Sequence, residues 1–161
     1  MRQFRRRREG ATDYRKRLAL LKSGLPRAVV RVTNRQVLIQ LTRFTREGDQ
    51  VVVAVSSQQL ADLGWKGSGT SVPAAYLSGL LAAREARAVG EAHAVLDIGR
   101  VTPTPGGRVF AVLKGLVDGG MEVPHSNTLY PGEERIRGEH ISKATAKQVE
   151  KVSATIKEAK A

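Results

Sequence analysis

Arg5, Arg6, Arg7 and Arg8 follow one another without a break near the start of the chain. The chemistry open to four adjacent guanidinium groups is the binding of phosphate oxygens, because each planar fork donates two parallel hydrogen bonds and also stacks on a base. Twelve of the first 35 residues are basic, only Lys16 and Lys22 among them being lysines, and they face only two acids, Glu9 and Asp13. That stretch therefore carries +10 of the chain's +12. Charge gathered at one end calls for a polyanion, either a nucleic acid or an anionic membrane surface. A membrane-binding helix needs bulky apolar residues beside its basic face, and Phe4 alone precedes the helix here. Together with the preference for arginine, this favours nucleic acid and argues against a membrane partner.

Other residue patterns point to chemistries that the sequence does not complete. Gly64 and Gly69 have the Gly-x-x-x-x-Gly spacing of a phosphate-cradling loop, but Thr70-Ser71 stands where the Lys-Ser/Thr pair is required. Trp65 and Lys66 within that loop either touch RNA, with the indole as a stacking platform, or pack the start of the following helix. A metal-dependent nuclease needs carboxylates clustered around cations, beginning with an acid on the first strand. That strand carries Arg27 and Arg31 and no acid. Asp97, near the end of a central strand, is expected to hydrogen-bond the backbone of the Gly99 loop. His93, His125 and His140 are far apart and have no repeating ligand spacing, there is no Gly-x-Ser-x-Gly elbow, and there are no cysteines. Catalysis, cofactors, metals and a small-molecule substrate are not expected. The runner-up readings are a basic scaffold acting through protein partners and, further behind, the nuclease.

The elements that must hold these groups follow from periodicity and breakers. With 161 residues and 41% hydrophobic content, the chain can form one core with tails. No run has the length and apolarity of a membrane span, and the charged start is unlike a signal core, so the chain reads as cytoplasmic. Residues 1–11 are expected to be a mobile basic tail. Thr12 or Asp13 caps a helix that Gly24 and Pro26 end, with Tyr14, Leu18, Leu21 and Leu25 as an apolar stripe lying on the body and Arg15, Arg17 and Lys22 on its flanks. Residues 27–33, 36–44 and 51–56 are rich in Val, Ile and Thr and read as three antiparallel strands. A short helix over 58–63 precedes a long one that starts at Ser71 and Pro73 and runs to about Gly90. Residues 94–98 read as a buried strand, which a long intervening helix makes parallel. A further helix opens at Thr104-Pro105-Gly106 and ends at Gly119-Gly120. The domain of residues 12–121 is thus α/β, three antiparallel strands then helix–strand–helix. Beyond it, residues 122–161 form a helical extension after a loop, with Val149, Val152 and Ile156 as a thin stripe.

Long motifs carry a resemblance. Phe4-Arg-Arg-Arg-Arg-Glu-Gly-Ala-Thr-Asp-Tyr-Arg-Lys-Arg-Leu18 is similar to the start of a 5S-rRNA-binding ribosomal protein family, the archaeal and eukaryotic version of the eighteenth large-subunit protein. Gly64-Trp-Lys-Gly67, Ala74-Ala-Tyr-Leu77, Val95-Leu-Asp-Ile-Gly99, Phe110-Ala-Val-Leu-Lys-Gly115, Pro124-His-Ser126 and Arg135-Ile-Arg-Gly-Glu-His-Ile141 also match, in order. The resemblance implies a ribonuclease-H-like translational-machinery fold without its catalytic acids. It also implies a structural component of the cytoplasmic large ribosomal subunit that attaches 5S rRNA at the central protuberance. Its partners would be 5S rRNA, 23S rRNA and neighbouring large-subunit proteins, and the segment after Pro124 suggests the archaeal type. On this reading Arg5, Arg6, Arg7 and Arg8 take phosphates. Tyr14, Arg15 and Arg17 meet sugar-phosphate or a stacked base, and Arg27, Arg31 and Arg35 hold a duplex side, with Lys22, Trp65 and Lys66 as further contacts.

Overall fold

The computed structural model describes residues 3–158. Strands β1 (Arg27–Val32), β2 (Val37–Thr45) and β3 (Gly48–Ser56) form an antiparallel meander, and β4 (Val95–Asp97) adds to β1 in parallel, giving the order β3-β2-β1-β4. Side chains on a strand alternate between faces. Ala28 and Val30 on β1, Ile39 and Leu41 on β2, and Val53 and Val55 on β3 therefore share the core side, and all are buried. Arg27, Val29 and Arg31 point to the other side, opposite Thr42, Gln40 and Leu38 of β2.

Helices α3 (Val72–Ala88) and α4 (Arg108–Asp118) cover the core side. Ser71 caps α3 by accepting from the Ala74 amide, with Pro73 in the first turn where no intrahelical N–H is needed. Gly79 and Gly115 face each other where α3 and α4 cross. A Cβ on either would run into a backbone carbonyl oxygen of the other helix, that of Val112 or that of Tyr76. The polypeptide leaves β3 at one edge of the sheet, runs through the 3-10 turn Ser57–Ala61 and α3, and enters β4 at the other edge, the parallel crossover that the sequence implies. A single bridge between His93 and Glu122 then brings the segment after α4 back beside β4.

The extension is two helices, α5 (Glu133–Arg137) and α6 (Lys143–Glu158), stacked on the outer side of α3. Val149, Val152 and Ile156 are buried there, as their spacing predicts. Gly138 separates the two helices in a left-handed conformation, φ 75°, that a side chain adopts only with strain.

The N-terminal arm lies on the opposite side of the sheet. Residues expected without structure include one helical turn, α1 (Arg5–Arg8), followed by α2 (Tyr14–Leu21). Asp13 caps α2 by accepting from the Arg15 and Lys16 amides. The apolar stripe does not lie on the body as expected: Leu18 is 58% exposed, and Tyr14 and Leu25 are also exposed. The reason is electrostatic. Arg17, a quarter-turn from Leu18, takes the inward position because Asp49 on β3 waits there, and only Leu20 and Leu21 beside it are half-buried.

Candidate nucleic-acid interface

The outer face of the sheet carries a ladder of alternating charges. Arg17 Nη2 donates to both carboxylate oxygens of Asp49 at 3.0 Å, and Arg27 Nη2 donates to Asp49 Oδ2 at 2.6 Å. Arg27 Nη1 donates to Asp97 Oδ2 at 2.9 Å, and Arg31 Nη2 reaches Asp97 Oδ1 at 3.3 Å. Five residues from α2, β1, β3 and β4 are joined in this way. Burial pushes the Asp49 carboxyl up, but the hydrogen bonds and charges of Arg27, then of Arg17, outweigh it and hold the group below its ordinary value. Asp97 also accepts from the Gly99 amide at 2.8 Å, as the sequence suggests.

This ladder corrects the expected role of Arg27. The residue is 3% exposed and its guanidinium is held by two carboxylates, so it fixes the sheet to the arm and has no fork to offer a duplex. Arg31 is split between roles: it bonds the carbonyl oxygens of Val30 and Asp97 as well as the Asp97 carboxylate, yet its side chain stays 44% exposed. Trp65 is also inside, 5% exposed, with its indole N–H toward the Ser68 carbonyl and Gly67 lying against its ring. Of the two roles weighed for Trp65, it fills the packing one. Lys66 is exposed, in the loop whose Gly69 lies against the Arg35 backbone, so Lys66 and exposed Arg35 share the end of the sheet away from Asp49.

The arginine run does not form a row. One helical turn spreads successive side chains about 100° apart. Arg5 folds back to Glu9 at 2.9 Å and Arg6 donates to Thr12 Oγ1 at 3.0 Å, whereas Arg7 and Arg8 have no ion-pair partner among the described residues. Arg15 and Lys16 on α2, and Lys22 at its C-terminal cap, are exposed and equally unpaired among the described residues.

Between the arm and the sheet lies an open cleft of about 870 Å³, with Arg6, Lys16 and Arg17 on the arm side and Val29, Gln40 and Val51 on the sheet side. Arg100 closes one end, its guanidinium beside Gly10. Arg100, Gln40 and the exposed Phe44 of the β2–β3 hairpin went unnoticed in the sequence. The signal for Phe44 and Gln40 was available: each stands on the solvent phase of the β2 alternation, and an aromatic there has nothing to pack against.

The nuclease reading finds no support here. Both oxygens of Asp97 are engaged by arginines, and no group of three or more His, Asp or Glu suited to a metal occurs among the described residues. No described helix is long and apolar enough to cross a membrane.

Comparison with known proteins shows the family to which the chain is similar. A profile of the family described as "Ribosomal large subunit proteins 60S L5, and 50S L18" matches residues 1–91 and 86–126. The chain is 53% identical over 150 residues to the large ribosomal subunit protein uL18 of Korarchaeum cryptofilum, covering 93% of this chain and 77% of that one. It is 48% identical over 160 residues to uL18 of Methanoregula boonei, covering 96% and 92%. Against uL18 of Methanoculleus marisnigri the identity is 53% over 139 residues, covering 86% and 79%.

Proposed function

Because the chain belongs to the uL18 family of large-subunit ribosomal proteins, we propose that it binds 5S rRNA with its arm and the outer face of its sheet and helps to attach that RNA at the central protuberance. One observation carries the reading: five cations with no ion-pair partner among the described residues, Arg7, Arg8, Arg15, Lys16 and Lys22, stand together on the arm, on the one side of the sheet that no helix of the core covers. Paired arginines hold the arm in place, and unpaired ones are left for phosphate. A-form RNA hides its major-groove edges, so the arm recognises shape, 2′-hydroxyls and unpaired bases. The tiers on the far side of the sheet are free to face 23S rRNA and neighbouring proteins. The protein acts by position and charge, and the proposal includes no catalytic step.

The test is 5S rRNA binding as a function of salt. With about six phosphates neutralised, the log–log slope is expected at about −4 to −5. Replacing Arg5, Arg6, Arg7 and Arg8 by Ala should flatten the slope by about 2 and weaken binding, with an unchanged melting temperature. Unchanged affinity and slope would remove the arm from the interface.

A further inference from the structure

Gln40 stands at the middle of the central strand β2, between Val29 of β1 and Ala54 of β3 on the outer face, and its side chain is exposed. Its amide makes no hydrogen bond to any described residue, although the charged groups around it are paired in detail. It opens into the cleft, whose floor beside it is apolar: Val29 and Val51 on the sheet and Ile98 after β4. Three cations of the lining, Arg6, Lys16 and Arg100, have no ion-pair partner among the described residues. The acids of the lining are committed: Asp49 and Asp97 to arginines, and Asp13 to the α2 cap. Of the leucines on α2, Leu20 lines the cleft and Leu18 faces away, because the Arg17–Asp49 pair sets the rotation of the helix, so the space is left open.

An apolar floor, a free amide and unneutralised cations are the three parts of a site for one nucleotide. The aliphatic floor packs against the face of a base, the amide supplies one donor and one acceptor to its edge, and the cations hold the flanking phosphates. At about 870 Å³ the cleft falls within the usual size of small-ligand sites. We propose that it receives a single unpaired nucleotide extruded from the bound RNA, with Gln40 reading the edge of its base. The proposal rests on the RNA-binding reading above and adds that recognition includes one base, not shape alone. Duplex RNA cannot supply such a base, so the ligand must carry an unpaired nucleotide next to the helical segment that the arm grips.

The experiment is chemical probing of the base edges of a 5S rRNA transcript, free and bound to the full chain, with dimethyl sulfate and carbodiimide. Wild-type protein should protect one unpaired nucleotide in addition to its backbone footprint. Gln40→Leu, which removes the amide on an exposed face, should restore the reactivity of that nucleotide alone and weaken binding about tenfold with no change in salt slope. Val51→Gln, which puts a second polar side chain on the apolar floor and leaves the Gln40 amide in place, should do the same. Full affinity with every protection retained in both variants would overturn the proposal, as would a loss of affinity that tracks a fall in melting temperature. A wild-type chain that does not bind the 5S transcript would instead overturn the parent reading. The same probing on total rRNA would then decide the cleft, and no base protection lost in Gln40→Leu would end it.

Discussion

Arg27 and Arg31 lie on the same face of β1 and differ in what surrounds them. Arg27 sits between Asp49 and Asp97 and is closed off, whereas Arg31 touches one of these acids and stays open at its tip. A buried charge that loses its partner is costly, so Arg27→Ala is expected to destabilise the fold by about 3–5 kcal/mol in urea unfolding. Arg17→Ala, nearer the surface, should cost under about 1 kcal/mol and act on the arm alone. Asp49 adds a pH dependence to the arm. Its folded pKa lies below the ordinary 3.8, so its stabilisation is complete above that value and is lost as pH falls through the lower, folded one. Protection factors of the α2 amides should therefore hold from neutrality to about pH 5 and fall below about pH 4, whereas Asp49→Asn should lower them at every pH.

At the scale of elements, small residues decide how closely helices meet. Gly79 and Gly115 let α3 and α4 approach until their backbones touch, and the alanines of α3 complete that seam. Gly79→Val or Gly115→Val would push the helices apart and should cost about 3 kcal/mol or more, read as a lowered melting temperature. The extension docks by a narrower seam. Ile156→Ala, at a site 2% exposed, should cost about 2 kcal/mol or more by cavity formation. The seam of the extension was legible in the spacing of Val149, Val152 and Ile156, whereas the small residues of α3 show only that something packs closely there and not that it is α4. The seating of α2 was not legible, because spacing reports which residues share a face and does not say whether an ion pair outside the helix will claim the neighbouring face.

The whole molecule is a stack of tiers: arm, sheet, the α3–α4 pair, and the extension on α3. On the proposed function, phosphate is bound by the first tier, and the others hold it at a set distance from the rest of the particle. Charge reversal at Lys143, Lys147 and Lys151, exposed on α6 in the last tier, should therefore leave 5S rRNA affinity and salt slope nearly unchanged. The sheet and helices between exceed a Debye length of about 8 Å at physiological salt. A slope altered as much as by the arm variant would show RNA wrapping both sides.

The sequence by itself determined the meander, the parallel crossover, the helical extension, the missing acid on β1 and the basic end. Each of these is written in local periodicity or in composition, and neither depends on what lies across the molecule. Tertiary structure alone decided which arginines are free. Asp49 and Asp97 stand 22 and 70 residues from Arg27, and only the register of four strands brings them to it. A guanidinium has the same sequence signature whether it meets a carboxylate or a phosphate. Its role is set by which anion the fold places within about 3 Å.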